Sequence, residues 1–247
     1  MTKHSGETLV RSVAASARSF TALCARLGQG RLRARMLAFL HTAAVHVPHF
    51  TRLVRELDAA VPIVHSVRED LLAQAIADGR VTDSTRQQTQ AEVKRLAHDG
   101  ARVVLCTCSS LGDAAEATDC PGSRVLRVDR PMAERALSLS RPILAVATTP
   151  TALSSAVTLL SSASGLAAPV VRELLCSAAW ERFQAGDEAG YSTALAQQVS
   201  AHALPGDVIL LAQASMAPAA ALIRRADVEV LTSPSLGVQR ALSLLGE

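Results

Sequence analysis

The residues best suited to chemistry form one short loop, Cys106-Thr107-Cys108-Ser109-Ser110, set between an apolar run and a helical stretch. A cysteine at a strand end and close to a helix N-terminus meets unpaired N–H groups and a favourable dipole, both of which stabilise a thiolate. The serine hydroxyls and loop N–H groups beside it are donors suited to a carboxylate or an enolate oxygen. Cys106 belongs to the strand itself and reads as a small buried hydrophobe. For Cys108 that reading and the reactive one both stand. A Cys-x-Cys metal site is disfavoured, since no nearby histidine or second cysteine pair completes four ligands. His46 and His49 sit three residues apart at a helix start, again without a third ligand. His65 and Glu69 follow a predicted strand and read as the solvated start of a helix with an acid in its first turn.

Positioning these side chains requires a repeated strand–helix unit. The apolar runs predict strands over Leu37–Leu40, Val61–Val64, Arg102–Cys106, Arg124–Val128, Ile143–Ala147, Val170–Leu174, Val208–Leu211 and Val228–Leu231. Between them lie helical periods: Phe50, Leu53, Val54 and Leu57 recur at i, i+3, i+4, i+7, and Val93, Leu96 and Ala97 behave alike. Gly100 and Gly206 stand where C-terminal helix caps are expected. Strands that are continuously apolar and alternate with helices predict parallel sheets covered on both faces. There is also an internal echo, "HDGARVVLCTCSSLGDAAE" against "LPGDVILLAQASMAPAAALI". Two copies of one unit predict two similar lobes with equivalent loops across a cleft, where ligands of open parallel sheets bind.

The composition narrows the function classes. The chain of 247 residues is 49% hydrophobic and 19% charged, with only 6 aromatic residues. That excludes a disordered chain and predicts a core of Ala, Leu and Val. Residues 1–35 carry seven basic residues and one acid, so the remainder has a balance of −3 behind the overall +3. No basic surface or stacking platform remains to argue for nucleic acid. The head reads as a basic, poorly ordered extension with no folded role, a weak amphipathic helix or a transit peptide being the alternatives, and it lacks the apolar run of a secretory signal. Pro142 to Val171 is free of charge, but its prolines and hydroxyl residues argue for a buried strand, Ile143–Ala147, and a helix, Thr151–Ser164, rather than a membrane span. Five irregularly spaced cysteines argue against a disulfide framework and for a reducing, cytoplasmic compartment. Trp180, Phe183 and Tyr191 read as core anchors, and His98 and His202 as surface residues.

Four segments in order, "VLCTCSSLGDAAE", "AVATTPTAL", "LLAQASMA" and "LTSPSLGVQRAL", resemble the aspartate/glutamate/hydantoin racemase superfamily. The resemblance covers about residues 36–245 and is strongest to the hydantoin-racemase-like branch. It implies an α/β fold of two pseudo-symmetric Rossmann-like lobes, each a mainly parallel sheet flanked by helices, with the active site in the cleft between them. Lobe boundaries at 36–130 plus 231–247 and at 131–230 follow from the same resemblance. It implies an isomerase without a cofactor or metal, in which one cysteine from each lobe faces the substrate α-carbon. Cys108 matches the first cysteine, and Ser109 and Ser110 match residues that bind the substrate carboxylate. Thr148 and Thr151 match a substrate-contacting Thr-x-x-Thr loop. His41 and Thr42 fall where the first strand opens into the cleft, and Ser215 lies in the second lobe's equivalent loop. The sequence departs from the pattern at Gln213, which occupies the second cysteine's place and does not titrate. The implied partner is a small carboxylic acid, amino acid or hydantoin, with homo-oligomerisation compatible with such a fold. Single-cysteine decarboxylation, cis–trans isomerisation of a small dicarboxylate and non-catalytic binding of a small acid are the alternatives.

Overall fold

The computed structural model describes residues 35–164 and 169–247. Apart from Arg35, the expected basic extension lies outside the described residues. The first sheet holds β1 (Leu37–His41), β2 (Ile63–Val67), β3 (Val103–Cys106) and β4 (Arg124–Arg127), in the order β2-β1-β3-β4. The second holds β5 (Ile143–Ala147), β6 (Val171–Leu175), β7 (Val208–Leu211) and β8 (Glu229–Thr232), in the order β6-β5-β7-β8. Every pairing is parallel. The two orders are the same, so the echo in the sequence is an echo of topology.

The central strands show why their sequences do not alternate. In β1, Leu37 and Phe39 enter one cluster and Ala38 and Leu40 the other. In β5, Ile143, Ala145 and Ala147 face one side while Leu144 and Val146 face the opposite one. Successive strand side chains point to opposite faces, and here helices cover both. Around the first sheet stand α1 (His46–Leu57), α2 (Glu69–Ala77), α3 (Asp83–His98) and the short α4 (Gly112–Glu116). Around the second stand α5 (Arg130–Ser138), α6 (Pro150–Ala163), α7 (Ser177–Gln184), α8 (Glu188–His202) and a 3₁₀ helix, Ala214–Leu222. The last helix, α9 (Ser233–Leu245), returns to the first sheet, where Val238, Ala241, Leu244 and Leu245 pack with Leu37, Phe39 and Phe50. No described helix is long and apolar enough to cross a membrane.

Two details differ from the sequence expectation for physical reasons. The second strand begins at Ile63 because Pro62 has no N–H to give to the ladder; its carbonyl instead accepts from Leu37 N–H at 3.0 Å. It runs on through His65 and Ser66 because their polar side chains find partners, His41 and Glu92. Gly206 is a left-handed residue (φ 89°) in the Leu204–Asp207 turn rather than a helix cap, whereas Gly100 (φ 109°) does follow the end of α3.

The chain passes between the lobes twice, after β4 and after β8, and the two passages touch. A Cβ built on Gly237 would lie 2.6 Å from Val128 Cγ2 and 2.8 Å from the Val128 carbonyl oxygen. Gly237→Ala gains about 1 kcal/mol of helix propensity and loses about 2–3 to the clash, which falls partly on backbone. A net loss of about 1–2 kcal/mol is expected, read as a lower urea midpoint at unchanged slope. An unchanged or raised midpoint would show that α9 is free to move off Val128.

Candidate active site

Cys108 occupies the turn after β3 and is 8% exposed. The Thr42 hydroxyl and the N–H groups of Ser110 and Leu111 face its sulfur, and each favours the thiolate. Burial opposes them and wins, so the thiol pKa is raised above its ordinary value. The expected help from a helix dipole is small, because α4 has only five residues and starts at Gly112. At neutral pH Cys108 is therefore a protonated thiol. Cys106 lies wholly inside the core, its thiol also pushed up by burial, and donates to the Cys108 carbonyl at 3.6 Å.

The equivalent turn of the second lobe brings in Gln213, just before the 3₁₀ helix. Pro218 inside that helix lacks an N–H and is poorly tolerated in an α-helix interior, consistent with the tighter winding. Gln213 Oε1 accepts the Thr148 N–H at 2.6 Å and the Thr148 hydroxyl at 2.8 Å. Only the amide oxygen can accept a backbone N–H, so these bonds leave the Gln213 NH₂ as the group free to donate. Beside it, Ser215 Oγ and the Tyr191 hydroxyl are 2.9 Å apart. Burial raises the Tyr191 phenol to about 12, which keeps it protonated.

These turns meet around a chamber of about 30 Å³ whose walls include Thr42, His46, Cys108, Trp180, Gln213 and Ser215. That is room for roughly one water. Ser109 and Ser110 also line it, and among the described residues no Lys, Arg, Asp or Glu does. Larger hollows of about 590 Å³ and 450 Å³ lie on either side, and Phe183 belongs to the walls of all three. Trp180 and Phe183 stack with centroids 5.1 Å apart. They roof the chamber; Phe183 also packs against the core cluster around Tyr191, as expected from the sequence, whereas Trp180 joins no core cluster. Tyr191 alone of the three is fully enclosed.

The other expected residues sit further back. Thr148 lies behind Gln213, 1% exposed. Thr151 faces a separate cavity of about 210 Å³ and touches the chamber wall only through Ser110, at 3.0 Å. His41 is fully buried and does not line the chamber. The end of β1 turns its ring inward, against Phe39 and His65. There His41 Nδ1 lies 2.8 Å from Thr107 Oγ1, His41 Nε2 2.8 Å from His65 Nδ1, and His65 Nε2 2.9 Å from Thr51 Oγ1. Since Thr107 donates to the Leu40 carbonyl at 3.2 Å, it accepts from His41 Nδ1–H; His65 Nδ1–H then donates to His41 Nε2, and the Thr51 hydroxyl to His65 Nε2. Burial, with the neighbouring His65 and His46, lowers the His41 pKa to about 3, so His41 serves as a neutral buttress for the loop.

Behind that loop runs a second support absent from the sequence reading. Arg127 and Asp129 form a buried bidentate pair at 2.7 and 2.9 Å. Arg127 Nη2 also donates to Ser155 Oγ at 2.9 Å, and Ser155 Oγ donates to the Ser109 carbonyl at 2.7 Å. A Cβ on Gly112 would meet the Arg127 side chain at 2.9 Å, so a glycine there lets the guanidinium pass beneath the loop. No group of three or more His, Cys, Asp or Glu among the described residues could hold a metal ion. The four described cysteines are free.

The protonated state of Cys108 has a direct readout. Alkylation by iodoacetamide follows the thiolate, so its rate at pH 7 should lie below that of a free cysteine, whose pKa is about 8.5. The rate should go on rising above pH 9 where a free thiol levels off, as peptide mass spectrometry would record. A fast, pH-independent reaction at neutral pH would mean that the three donors outweigh burial.

No family model matches the sequence, and no curated protein matches it. Solved structures do match its fold. Aspartate racemase from Picrophilus torridus superposes with a TM-score of 0.66 at 14% identity, covering 86% of this chain and 94% of that one. Glutamate racemase from Francisella tularensis, in complex with D-glutamate, gives 0.60 at 16% identity, covering 87% and 81%. A double mutant of arylmalonate decarboxylase in the liganded form gives 0.55 at 21% identity, covering 86% and 93%. At these identities the likeness is one of fold: two pseudo-symmetric lobes, each a parallel sheet between helices, with a cleft between them.

Proposed function

We propose that this protein catalyses cofactor-independent proton transfer at a carbon next to a carboxylate or carbonyl, with Cys108 as the proton-delivering acid. One observation carries the reading: a neutral thiol stands in a small, uncharged chamber ringed by hydrogen-bond donors from both lobes. An acid that must give up a proton to carbon has to hold that proton at the working pH, and burial secures this. The enolate that accepts it carries its charge on oxygen. The serine hydroxyls and the Gln213 amide are donors fixed where such an oxygen would lie, in a site from which water is largely excluded. Thr148 holds the Gln213 amide in that orientation and Tyr191 steadies Ser215. The racemase and decarboxylase folds that this chain matches support the same class of chemistry.

With glutamine in the second lobe, transfer between two thiols does not apply. The substrate is a small carboxylic acid, amino acid or hydantoin, recognised by the hydroxyl and amide dipoles of Ser109, Ser110 and Gln213. The test is deuterium incorporation at the α-carbon of aspartate, glutamate, 5-benzylhydantoin and phenylmalonate in D₂O, followed by NMR. Incorporation that depends on the wild-type chain and disappears in Cys108→Ala supports the reading. No incorporation into any of the four, or undiminished incorporation by the variant, removes it.

A further inference from the structure

Gln213 cannot exchange a proton, yet another residue in the chamber can. The His46 imidazole stands in the wall that the chamber shares with the 590 Å³ hollow, together with Phe183, Ala214 and Ser215. The Cys108 loop and Gln213 line the chamber but not that hollow. A carbon held in the chamber therefore has sulfur on its inner side and imidazole on the side toward the hollow. The histidines behind His46 are fully engaged: both ring nitrogens of His41 and both of His65 are hydrogen-bonded. Neither ring nitrogen of His46 is hydrogen-bonded to any described residue. An imidazole left unpartnered at the mouth of a reaction chamber is available to a ligand.

Building on the assignment of Cys108 as the acid, we propose that His46 is the second acid–base group of the site, taking a proton from the face of the α-carbon opposite the sulfur. The Cα–H bond breaks, its proton goes to an imidazole nitrogen and its electron pair moves onto the neighbouring carbonyl oxygen. The enolate carbon then takes the Cys108 proton, and the S–H electrons stay on sulfur. The product has inverted configuration, and the site is left as imidazolium and thiolate. Return of one proton from nitrogen to sulfur through solvent restores it. Burial and the neighbouring His49 lower the His46 pKa to about 4, while burial holds the Cys108 thiol protonated. The resting pair is thus a free base facing a loaded acid. Two unlike groups replace a symmetric pair, and the Gln213 amide is left to hold the enolate oxygen.

The assignment is tested with the same four probes, each amino acid and the hydantoin supplied as single enantiomers, and chiral chromatography as the readout. His46→Gln is expected to lose interconversion of enantiomers by about 10²-fold or more, while its urea midpoint stays close to that of wild type. His46→Ala should be similarly slow and should recover in part with added imidazole, which reaches the vacated place through the hollow. Recovery of this kind does not follow from a merely structural role. If His46→Gln keeps its rate within about threefold while Cys108→Ala is inactive, His46 is not the base, though the reading of Cys108 survives. If folded His46→Ala stays slow at every imidazole concentration, the base assignment also fails. If the wild-type chain acts on none of the probes, the Cys108 reading fails and this assignment with it.

Discussion

Cys108→Ala is expected to lower the rate of α-carbon deuterium incorporation by about 10²–10⁴-fold, the usual worth of a positioned proton donor. The loss should fall on kcat, with KM nearly unchanged, because the groups that would hold the substrate's oxygens belong to other residues: Ser109, Ser110 and Gln213. The chain should still fold. Cys108 is a small side chain on the rim of its core cluster, and its removal vacates little more than one sulfur's volume. Thermal unfolding of the variant separates this outcome from collapse of the loop. A variant that unfolds normally and exchanges deuterium at the wild-type rate would place the chemistry elsewhere.

Asp129→Ala should be the most damaging of the stability changes considered, at about 3–5 kcal/mol, because it strands the buried Arg127 guanidinium without its carboxylate. For a chain of this length that is roughly a 10 °C fall in Tm. The effect should reach the site as well, since Arg127 holds Ser155 and Ser155 holds the Ser109 carbonyl. Replacing both partners by apolar residues of similar volume, Arg127→Met with Asp129→Leu, removes the stranded charge and should recover much of the loss. Equilibrium urea unfolding measures both. A cost below about 1 kcal/mol for Asp129→Ala would mean that water reaches the guanidinium.

The fold was legible because sheets buried on both faces leave a plain trace. All eight strands coincide with apolar runs to within two residues or so, and the largest displacement, at β2, has its cause in Pro62 and in polar partners that only the folded chain supplies. The candidate site was legible in part. The loop around Cys108 joins a strand end to hydroxyl residues adjacent in sequence, so local spacing was enough to find it. What local spacing cannot give is the environment. The thiol's protonation depends on burial against donors that also favour its loss, and the roof of Trp180 and Phe183 comes from the other lobe. The supports are long-range too: Thr148 meets Gln213 across 65 positions and Ser110 meets Thr151 across 41. His41 falls at the strand end that opens toward the cleft, and only its aromatic neighbours show that it turns inward. From spacing His46 pairs only with His49, without a third metal ligand; its place in the wall shared by two cavities exists only in the folded chain.

The contact between Gly237 and Val128 sets how the molecule can move. Both covalent crossings between the halves lie along that one line, so it is the natural spine about which they could part, like the covers of a book. A void the size of a single solvent molecule admits no organic acid, so under the proposed function each turnover includes an opening and a closing. Under that function a viscous medium should slow a fast reactant more than a sluggish one.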